Sequence, residues 1–205
     1  TSAPISNAAA GRTYQDIYNY LLFKPESVTS YEIGWKGSAF DRRLTWALDS
    51  FYAGYADVQI PGATGGVSGG VQTFCGATTN AGKARIKGVE LETNAVLARG
   101  FAGDGSNLTF SGALGYIDAK FRKFAGLSGN FVGATFTDIA AVSKFQNTPK
   151  WTLSGTLGAT LPVGHGSLVA NSTLSYRSQT TQFNTPSALL DQPGYTLLDA
   201  NLTYT

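Results

Sequence analysis

The feature that most constrains the fold is an alternation of large apolar and small polar residues. Between Asn107 and Phe121 the sequence reads NLTFSGALGYIDAKF. Every second residue from Leu108 to Tyr116 is apolar or glycine, whereas the residues between them are Asn, Thr, Ser, Ala and Gly. Successive side chains of a β-strand point to opposite sides of a sheet. The stretch therefore predicts a strand with one strongly apolar face and one small, uncharged face.

The same alternation recurs in six further stretches of the chain. Their apolar sides carry mainly Leu, Ala, Gly, Trp and Tyr, and their other sides carry small or polar residues. These stretches are 30–36, 43–57, 89–97, 150–161, 167–178 and 195–204. The chain is therefore predicted to be all-β, with about seven strands.

The composition indicates that part of this sheet does not face water. Charged residues make up only 14% of the 205 residues, well below the quarter that is usual for soluble domains. The net charge of +2 has no basic block behind it, so no nucleic-acid partner is expected. No apolar run approaches the roughly 18 residues that a transmembrane helix needs. If the chain crosses a membrane, strands must do it.

Short and long connections alternate between the predicted strands. Segments 37–41, 98–105 and 162–166 are short, and segments 60–82, 122–148 and 181–194 are long. This alternation is typical of the strand connections of outer-membrane barrels, which have tight periplasmic turns and long extracellular loops. The long segments are therefore expected to be extracellular and mobile. The glycine-rich stretch 61–70 lacks the Lys-Ser/Thr ending of a phosphate loop and is predicted to be a mobile loop tip, and Cys75 would then react with an impermeant maleimide.

The aromatic residues on the apolar faces are sorted by height once strand directions are assigned. Those near the extracellular ends are Tyr52, Tyr116, Trp151 and Tyr176, and those near the periplasmic ends are Trp35, Trp46 and Tyr204. Membrane barrels carry an aromatic girdle at each interface. The sequence therefore predicts an antiparallel transmembrane β-barrel whose apolar face contacts lipid and whose small polar face lines the lumen.

Six stretches resemble successive strand motifs of the C-terminal barrel half of TonB-dependent outer-membrane receptors. They are FKPESVTSYEIGWKG, RRLTWALDSFYAGYADVQI, AGKARIKGVELE, GYIDAKF, NTPKWTLS and GYTLLDANLTY. They occur in the family's order and cover the chain from Phe23 onward. The first resembles the family's strand opening, Pro-Glu followed by Ser/Thr-Tyr-Glu-x-Gly-x-Lys.

The resemblance implies that residues 1–205 are a partial barrel domain. Family barrels have 22 strands around an N-terminal plug that contacts TonB, and this sequence contains no plug motif and no closing strands. Seven strands would leave two open edges, so the chain is expected to occur within a larger barrel. Residues 1–22 lack alternation; Tyr14, Ile17, Tyr18 and Leu21 leave a short helix or an irregular loop equally open.

The resemblance also implies location and partners. The expected location is the bacterial outer membrane. The expected partners are outer-membrane lipid and lipopolysaccharide, the plug and remaining strands of the same receptor, TonB through that plug, and a small-molecule ligand; no cofactor is implied. The implied function is TonB-energised import of a siderophore–iron complex, haem, cobalamin or an oligosaccharide. The candidate ligand contacts on the upper lumen wall are Tyr55, Asp57, Gln59 and Arg177.

A passive porin-like channel or adhesin is the first alternative function. An outer-membrane phospholipase is the second, because His165 and Ser167 are two residues apart. Nucleophilic catalysis needs a base beside the hydroxyl and a third group that orients it. His165 is instead predicted to lie in a periplasmic turn, so no catalytic residue is assigned and the chain is not expected to be an enzyme. Cys75 has no partner at metal-binding spacing, so no metal site is assigned.

Two further pairs of charged residues have open interpretations. Glu90 and Glu92 share the lumen face, where they would act in acid–base chemistry, bind a cation or, as the favoured interpretation, contact an arginine of the plug. Arg85 and Lys87 share the lipid face at the extracellular end of their strand. They would either bind lipopolysaccharide phosphates or simply extend into the interface.

Overall fold

A computed structural model describes residues 22–68, 71–128 and 135–205 of the chain. Within these residues there are eight β-strands and no helix. The strands are β1 (Ser27–Ala39), β2 (Leu44–Ser68), β3 (Val71–Arg99), β4 (Asn107–Ser128), β5 (Thr135–Asp138), β6 (Trp151–Val163), β7 (Gly166–Arg177) and β8 (Tyr195–Tyr204). No helix long and apolar enough to cross a membrane occurs in the described part of the chain. The prediction of an all-β chain is confirmed.

The strands follow one another in the sheet in nearly the order of the sequence. The order is β1-β2-β3-β4-β6-β7-β8, and β5 pairs with β4 outside this path. The seven predicted strands are all present. The short β5 is an addition: it lies in the segment 122–148, predicted to be a loop, and pairs antiparallel with residues 125–128. Four residues are too few to reveal the two-residue alternation of a strand, so β5 was not predicted. Its backbone groups find their partners in the neighbouring β4.

The prediction that segment 60–82 is a loop is wrong. Strand β2 continues to Ser68 and β3 begins at Val71, so most of the glycine-rich stretch 61–70 is extended. Its Gly, Ser and Thr residues do not form the alternating apolar pattern from which a strand is predicted. Backbone hydrogen bonds between strands form without such a pattern. Cys75 lies in β3, but its side chain is outside the described part. The helix considered at residues 14–21 also lies outside the described residues.

The short connections between strands are confirmed, and the first one is held by an arginine. Three consecutive residues between β1 and β2, Phe40, Asp41 and Arg42, have φ angles of 55°, 53° and 63°. This left-handed region is uncommon for residues other than glycine. Arg43 follows and binds the end of β3, because its Nε and Nη2 donate to the carbonyl oxygens of Val96 and Leu97 at 3.2 and 2.9 Å.

The chain divides into two compact units, and β1, β2, β3 and β4 contribute residues to both. Unit 1 contains the described residues up to Thr29, which include the start of β1, together with Gly54–Arg85 and Lys120–Ser143. Its buried side chains include Ala84, Phe121 and Phe124, and the two phenylalanine rings have centroids 4.6 Å apart.

Unit 2 contains Ser30–Ala53, Ile86–Ala119 and Lys144–Thr205. Nearly every residue of its outer strand segments, in β1 and β8, is exposed. No large side chain among the described residues is fully buried. The sheet of unit 2 therefore leaves large areas of both faces uncovered.

Candidate functional site

The register of β4, β6, β7 and β8 collects the predicted apolar residues on one face of unit 2. Directly paired residues of an antiparallel sheet lie on the same face. Gly112 pairs with Gly155, Gly155 with Leu174, and Leu174 with Leu198. The other apolar pairs of β4 and β6 are Leu108–Ala159, Phe110–Leu157, Leu114–Leu153 and Tyr116–Trp151. The predicted separation of the two faces is therefore confirmed for these four strands.

Phenylalanine covers a pair of glycines in the middle of the apolar face. A Cβ atom built on Gly112 would lie 2.9 Å from the Phe110 ring, and one on Gly155 would lie 3.4 Å from it. The ring therefore lies across the Gly112–Gly155 pair and occupies space that side chains would otherwise fill. Beside it runs a furrow of about 600 Å³, whose apolar wall is formed by Leu91, Phe110, Leu114, Leu153, Leu174 and Tyr176.

Four of the predicted interface aromatics lie together at one end of this face. The rings of Tyr116 and Trp151 have centroids 4.6 Å apart, as expected from their pairing in the register. Tyr176 pairs with Leu153, two residues from Trp151 along the same face. Tyr52 and Tyr116 line one hollow of about 460 Å³. We call this cluster of Tyr52, Tyr116, Trp151 and Tyr176 the upper aromatic group.

The other three aromatics lie near the short turns. The Trp46 ring packs on β1, since a Cβ atom built on Gly37 would lie 2.6 Å from it. Trp35, two residues away on the same strand face, is 68% exposed. The Tyr204 hydroxyl donates a hydrogen bond to the carbonyl oxygen of Val163 at 3.3 Å, which ties β8 to the β6–β7 turn. These three residues form the lower aromatic group.

The opposite face of the sheet carries short polar side chains that bond across the strands. The Ser111 hydroxyl donates to Asn94 Oδ1 at 2.8 Å, and the hydroxyls of Thr156 and Thr173 are 2.8 Å apart. The Asn171 amide donates to the Asn201 side-chain oxygen at 3.2 Å. This face is mainly short and polar, as the alternation predicted, and it also carries a few carboxylates such as Asp199, which pairs with Thr173.

Gly158 allows two of these polar side chains to approach the sheet backbone. A Cβ atom built on Gly158 would lie 2.8 Å from Thr109 Oγ1 and 2.9 Å from Asn171 Oδ1. Gly158 is buried beneath them. A larger residue at this position would displace both side chains.

Three of the four predicted ligand contacts lie on β2 in unit 1. Asp57 has a φ angle of 55° and is exposed. Among the described residues, neither the Asp57 carboxylate nor the Tyr55 hydroxyl has a hydrogen-bond partner. Gln59 is engaged, because its side-chain nitrogen donates to the Lys24 carbonyl oxygen at 3.1 Å and its backbone N–H donates to Glu26 at 2.9 Å.

Asn80 is a structural residue that sequence reasoning missed. Its side-chain nitrogen donates to the carbonyl oxygens of Lys24 and Asp57 at 2.8 and 2.7 Å, and its oxygen accepts from the Lys24 N–H at 2.6 Å. It therefore fastens the segment before β1 to the backbone of Asp57. The signal that could have identified it is the position of Asn80 directly before the stretch AGKARIKGVELE, which resembles a family strand that opens with Asn-Ala-Gly.

The fourth predicted ligand contact, Arg177, lies in unit 2 and holds a loop. Its Nη2 donates to the carbonyl oxygen and to the side-chain oxygen of Asn147 at 3.0 and 2.7 Å. The same loop is tied to the β7–β8 connection, where Gln146 Nε2 donates to Asn184 Oδ1 at 2.7 Å and the Thr181 hydroxyl donates to the Phe145 carbonyl at 3.1 Å. Arg177 thus stabilises a pair of linked loops.

Asp138 holds a turn at the end of β5 in unit 1. Its Oδ1 accepts hydrogen bonds from the N–H groups of Ala140 and Phe124 at 3.0 and 3.1 Å. These two bonds, with a smaller contribution from the charge of Lys123, lower the pKa of the Asp138 carboxyl group despite some desolvation.

The remaining candidates of the sequence show no catalytic or metal-binding arrangement in the described residues. The Ser167 hydroxyl is 3.0 Å from the Thr205 hydroxyl, and His165 is exposed in the β6–β7 turn. Glu90, Glu92 and Lys87 are exposed. No three side chains of the types His, Cys, Asp and Glu gather within the described ranges in a way that could hold a metal ion.

Comparison with known proteins identifies the family. The family model of the TonB-dependent receptor-like β-barrel matches residues 3–205. No curated protein sequence matches the chain. A crystal structure of the ferric yersiniabactin uptake receptor FyuA from Yersinia pestis is similar in fold, with a TM-score of 0.57 and 18% identity over 86% of this chain. The chain spans only 22% of the length of that receptor. It therefore belongs to the TonB-dependent receptor family and forms a part of that family's β-barrel.

Proposed function

We propose that the chain forms part of the wall of a bacterial outer-membrane receptor that binds a scarce nutrient and imports it with energy supplied through TonB. The family assignment supports this function, as does the similar fold of a receptor described as a ferric yersiniabactin uptake receptor. A siderophore–iron complex, haem, cobalamin or an oligosaccharide is the proposed cargo.

The distance between the two aromatic groups is the observation that carries the membrane location. Trp151 belongs to the upper group, and the register aligns Tyr204 of the lower group with Leu168 and thus with Leu161 of β6. Ten residue steps separate Trp151 from Leu161. At roughly 3.3 Å per residue and a strand tilt of about 40°, this is about 25 Å along the membrane normal. The apolar band of outer-membrane barrels has about this height.

The proposed role of the polar face is to line the lumen and contact the plug. Short hydroxyl and amide side chains leave room for a folded domain inside a wide barrel. Glu90 and Glu92 are exposed on this face and accept no hydrogen bond from the described residues, so they are available to donors of the plug. The apolar face is proposed to contact outer-membrane lipid.

Tyr55, Asp57, Gln59 and Arg177 are the proposed ligand contacts. Asp57 and Tyr55 are the stronger pair, because their polar groups have no partner in the described part of the chain. Gln59 and Arg177 already use donors to hold the backbone near Lys24 and Asn147. Their proposed contribution is therefore mainly to fix the shape of the ligand-binding surface.

The function is tested by uptake in cells that produce the complete receptor. Radiolabelled representatives of the four cargo classes are offered to cells with and without TonB. We expect accumulation of one class only when TonB is present, and a weaker apparent affinity in Asp57→Asn and Tyr55→Phe variants. Accumulation that is equal without TonB would refute active transport and support a passive channel instead.

A further inference from the structure

A residue with a left-handed backbone conformation interrupts strand β2. Among the described residues, Asp57 is the only one that both lies inside a strand and has a positive φ angle, 55°. Extended strands have φ angles of about −120 to −140°, so the side chain of Asp57 takes a different direction from that of a regular strand residue. Local breaks of this kind re-aim side chains beside functional sites. The conformation is uncommon outside glycine and depends on support from its surroundings.

That support comes from the side-chain amide of Asn80, on the neighbouring strand β3. Its nitrogen donates to the Asp57 carbonyl oxygen at 2.7 Å. The same nitrogen donates to the Lys24 carbonyl oxygen at 2.8 Å, and the amide oxygen accepts from the Lys24 N–H at 2.6 Å. The amide group therefore pairs with Lys24 as one backbone peptide group pairs with another, and its second N–H holds the backbone of Asp57.

Gln59 fixes the same stretch of β2 two residues later. Its side-chain nitrogen donates to the Lys24 carbonyl oxygen at 3.1 Å, and its backbone N–H donates to the Glu26 carboxylate at 2.9 Å. All of these residues belong to unit 1. The backbone from Asp57 to Gln59 is thus tied at both ends, whereas the side chain of Asp57 is exposed. The carboxylate is available to a ligand, and its backbone is fixed.

We infer that Asn80 is a positioning residue for cargo recognition. It holds Asp57 in the left-handed conformation and thereby aims the carboxylate at a hydrogen-bond donor of the cargo, a hydroxyl or ammonium group. The inference rests on the proposed function, which makes Asp57 a ligand contact. A carboxylate offers acceptor oxygens and no donor, so it selects a group that donates. Asn80 acts through Asp57, because both of its own N–H groups are already used.

The size of the effect follows from the hydrogen bonds that Asn80 makes. Asn80→Ala removes three of them, one to Asp57 and two to Lys24. Even at the lower end of the usual net strength of a bond, this loss is a factor of about ten. The fraction of receptors with Asp57 in the observed conformation falls accordingly, and the apparent dissociation constant of the cargo rises by the same factor.

The test is uptake by cells that produce the complete receptor with Asn80→Ala. The probes are radiolabelled ferrichrome, haemin, cyanocobalamin and maltohexaose, one for each proposed cargo class. For the transported probe we expect an apparent KM about tenfold higher and an unchanged maximal rate, because the steps after binding do not involve Asn80. A merely structural role would lower the maximal rate at constant KM, through fewer folded receptors. Heat-modifiable migration on a gel measures the folded amount.

Asp57→Gly provides the background in which the loss of Asn80 should have no effect. Glycine adopts a positive φ angle without support and has no carboxylate to aim. Adding Asn80→Ala to Asp57→Gly should therefore raise the KM no further. If the two effects multiply in the double variant, Asn80 acts by a route other than Asp57, and the inference is overturned.

Asn107→Ala is the matched control. Asn107 is partly exposed like Asn80, begins β4 in unit 2, and makes no side-chain hydrogen bond to the described residues. Its replacement should leave the KM unchanged. Hydrogen exchange of the Lys24 amide is a readout that needs no cargo, and it should become faster in Asn80→Ala and stay the same in Asn107→Ala.

Two results would overturn the inference: unchanged exchange of the Lys24 amide in Asn80→Ala, or normal uptake by that variant with an unchanged KM. Failure of the proposed function gives a different result, since the unmodified receptor would then take up none of the four probes. In that case the exchange of the Lys24 amide still decides whether Asn80 holds this stretch of β2.

Discussion

Replacing Leu157 with arginine should destabilise the complete barrel in lipid by about 2–4 kcal/mol. Leu157 lies between the two aromatic groups, six residue steps from Trp151 and four from Leu161, the residue level with Tyr204. It pairs with Phe110 on the apolar face and is 46% exposed. At this depth the arginine side chain would have to reach roughly 10 Å to the lower interface, at the limit of its length.

Ser111 provides the matched control on the other face of the neighbouring strand. It pairs with Thr156, next to Leu157, and therefore has nearly the same depth. Ser111→Arg removes one hydrogen bond to Asn94, which costs about 0.5–1.5 kcal/mol. Its guanidinium would meet the polar lumen rather than hydrocarbon, so no membrane penalty is added. The expected difference between the two variants is about 0.5–3.5 kcal/mol.

The measurement is a urea titration of the complete receptor in liposomes, followed by tryptophan fluorescence and by gel migration. Agreement of the two probes establishes a two-state transition before free energies are compared. Equal penalties at Ser111 and Leu157, or a larger one at Ser111, would show that the assignment of lipid and lumen faces is wrong. If neither substitution changed the free energy of unfolding, residue 157 would not lie within the hydrocarbon of the membrane.

Three further predictions concern residues that hold backbone or side chains in place. Gly158→Val should cost about 1–3 kcal/mol in the same titration, because its side chain would collide with two polar side chains. Ala159→Val, on the apolar face, should stay within about 0.5 kcal/mol, and equal effects of the two changes would contradict the described packing around Gly158. Arg43→Met should cost about 1–3 kcal/mol through the loss of two hydrogen bonds to β3 carbonyl groups, whereas its neighbour Arg42, which makes no such bond to the described residues, should tolerate the same change. An unchanged urea midpoint for Arg43→Met would refute the proposed role of Arg43. The folded-state pKa of Asp138 is lowered, so its stabilisation of the β5 turn is present above the unfolded pKa of about 3.9 and is lost as the pH falls through the folded pKa. The Phe124 and Ala140 amides should therefore lose protection from hydrogen exchange at low pH, after correction for intrinsic rates. Asp138→Asn should reduce this protection already at pH 7. Equal protection in the variant and the unmodified receptor would refute the role of the Asp138 carboxylate in holding the turn.

The sequence alone determined the strands of unit 2 and the face on which each residue lies. A strand has a period of two, so one apolar residue at every second position fixes both the conformation and the faces. The pattern of Leu108 to Tyr116 needed no information about neighbours. The same holds for Trp151 to Leu161 and for β8, whose predicted and observed bounds coincide at Tyr195 and Tyr204.

The tertiary structure alone decided which residues meet across the strands. Alternation gives the parity of each strand but not its register, since a shift by two residues preserves every face. The pairing of Gly112 with Gly155, the Phe110 ring above them, and the meeting of Tyr116 with Trp151 all depend on that register.

The extension of β2 and β3 through the glycine-rich region, and the loop contacts of Arg177, were also beyond the sequence. Glycine, serine and threonine carry no apolar stripe, so their conformation depends on backbone partners that come from a distant part of the chain. Arg177 was predicted to face a ligand, and it binds Asn147, thirty positions earlier. A long polar side chain can reach many partners, and only the fold determines which one lies within hydrogen-bonding distance.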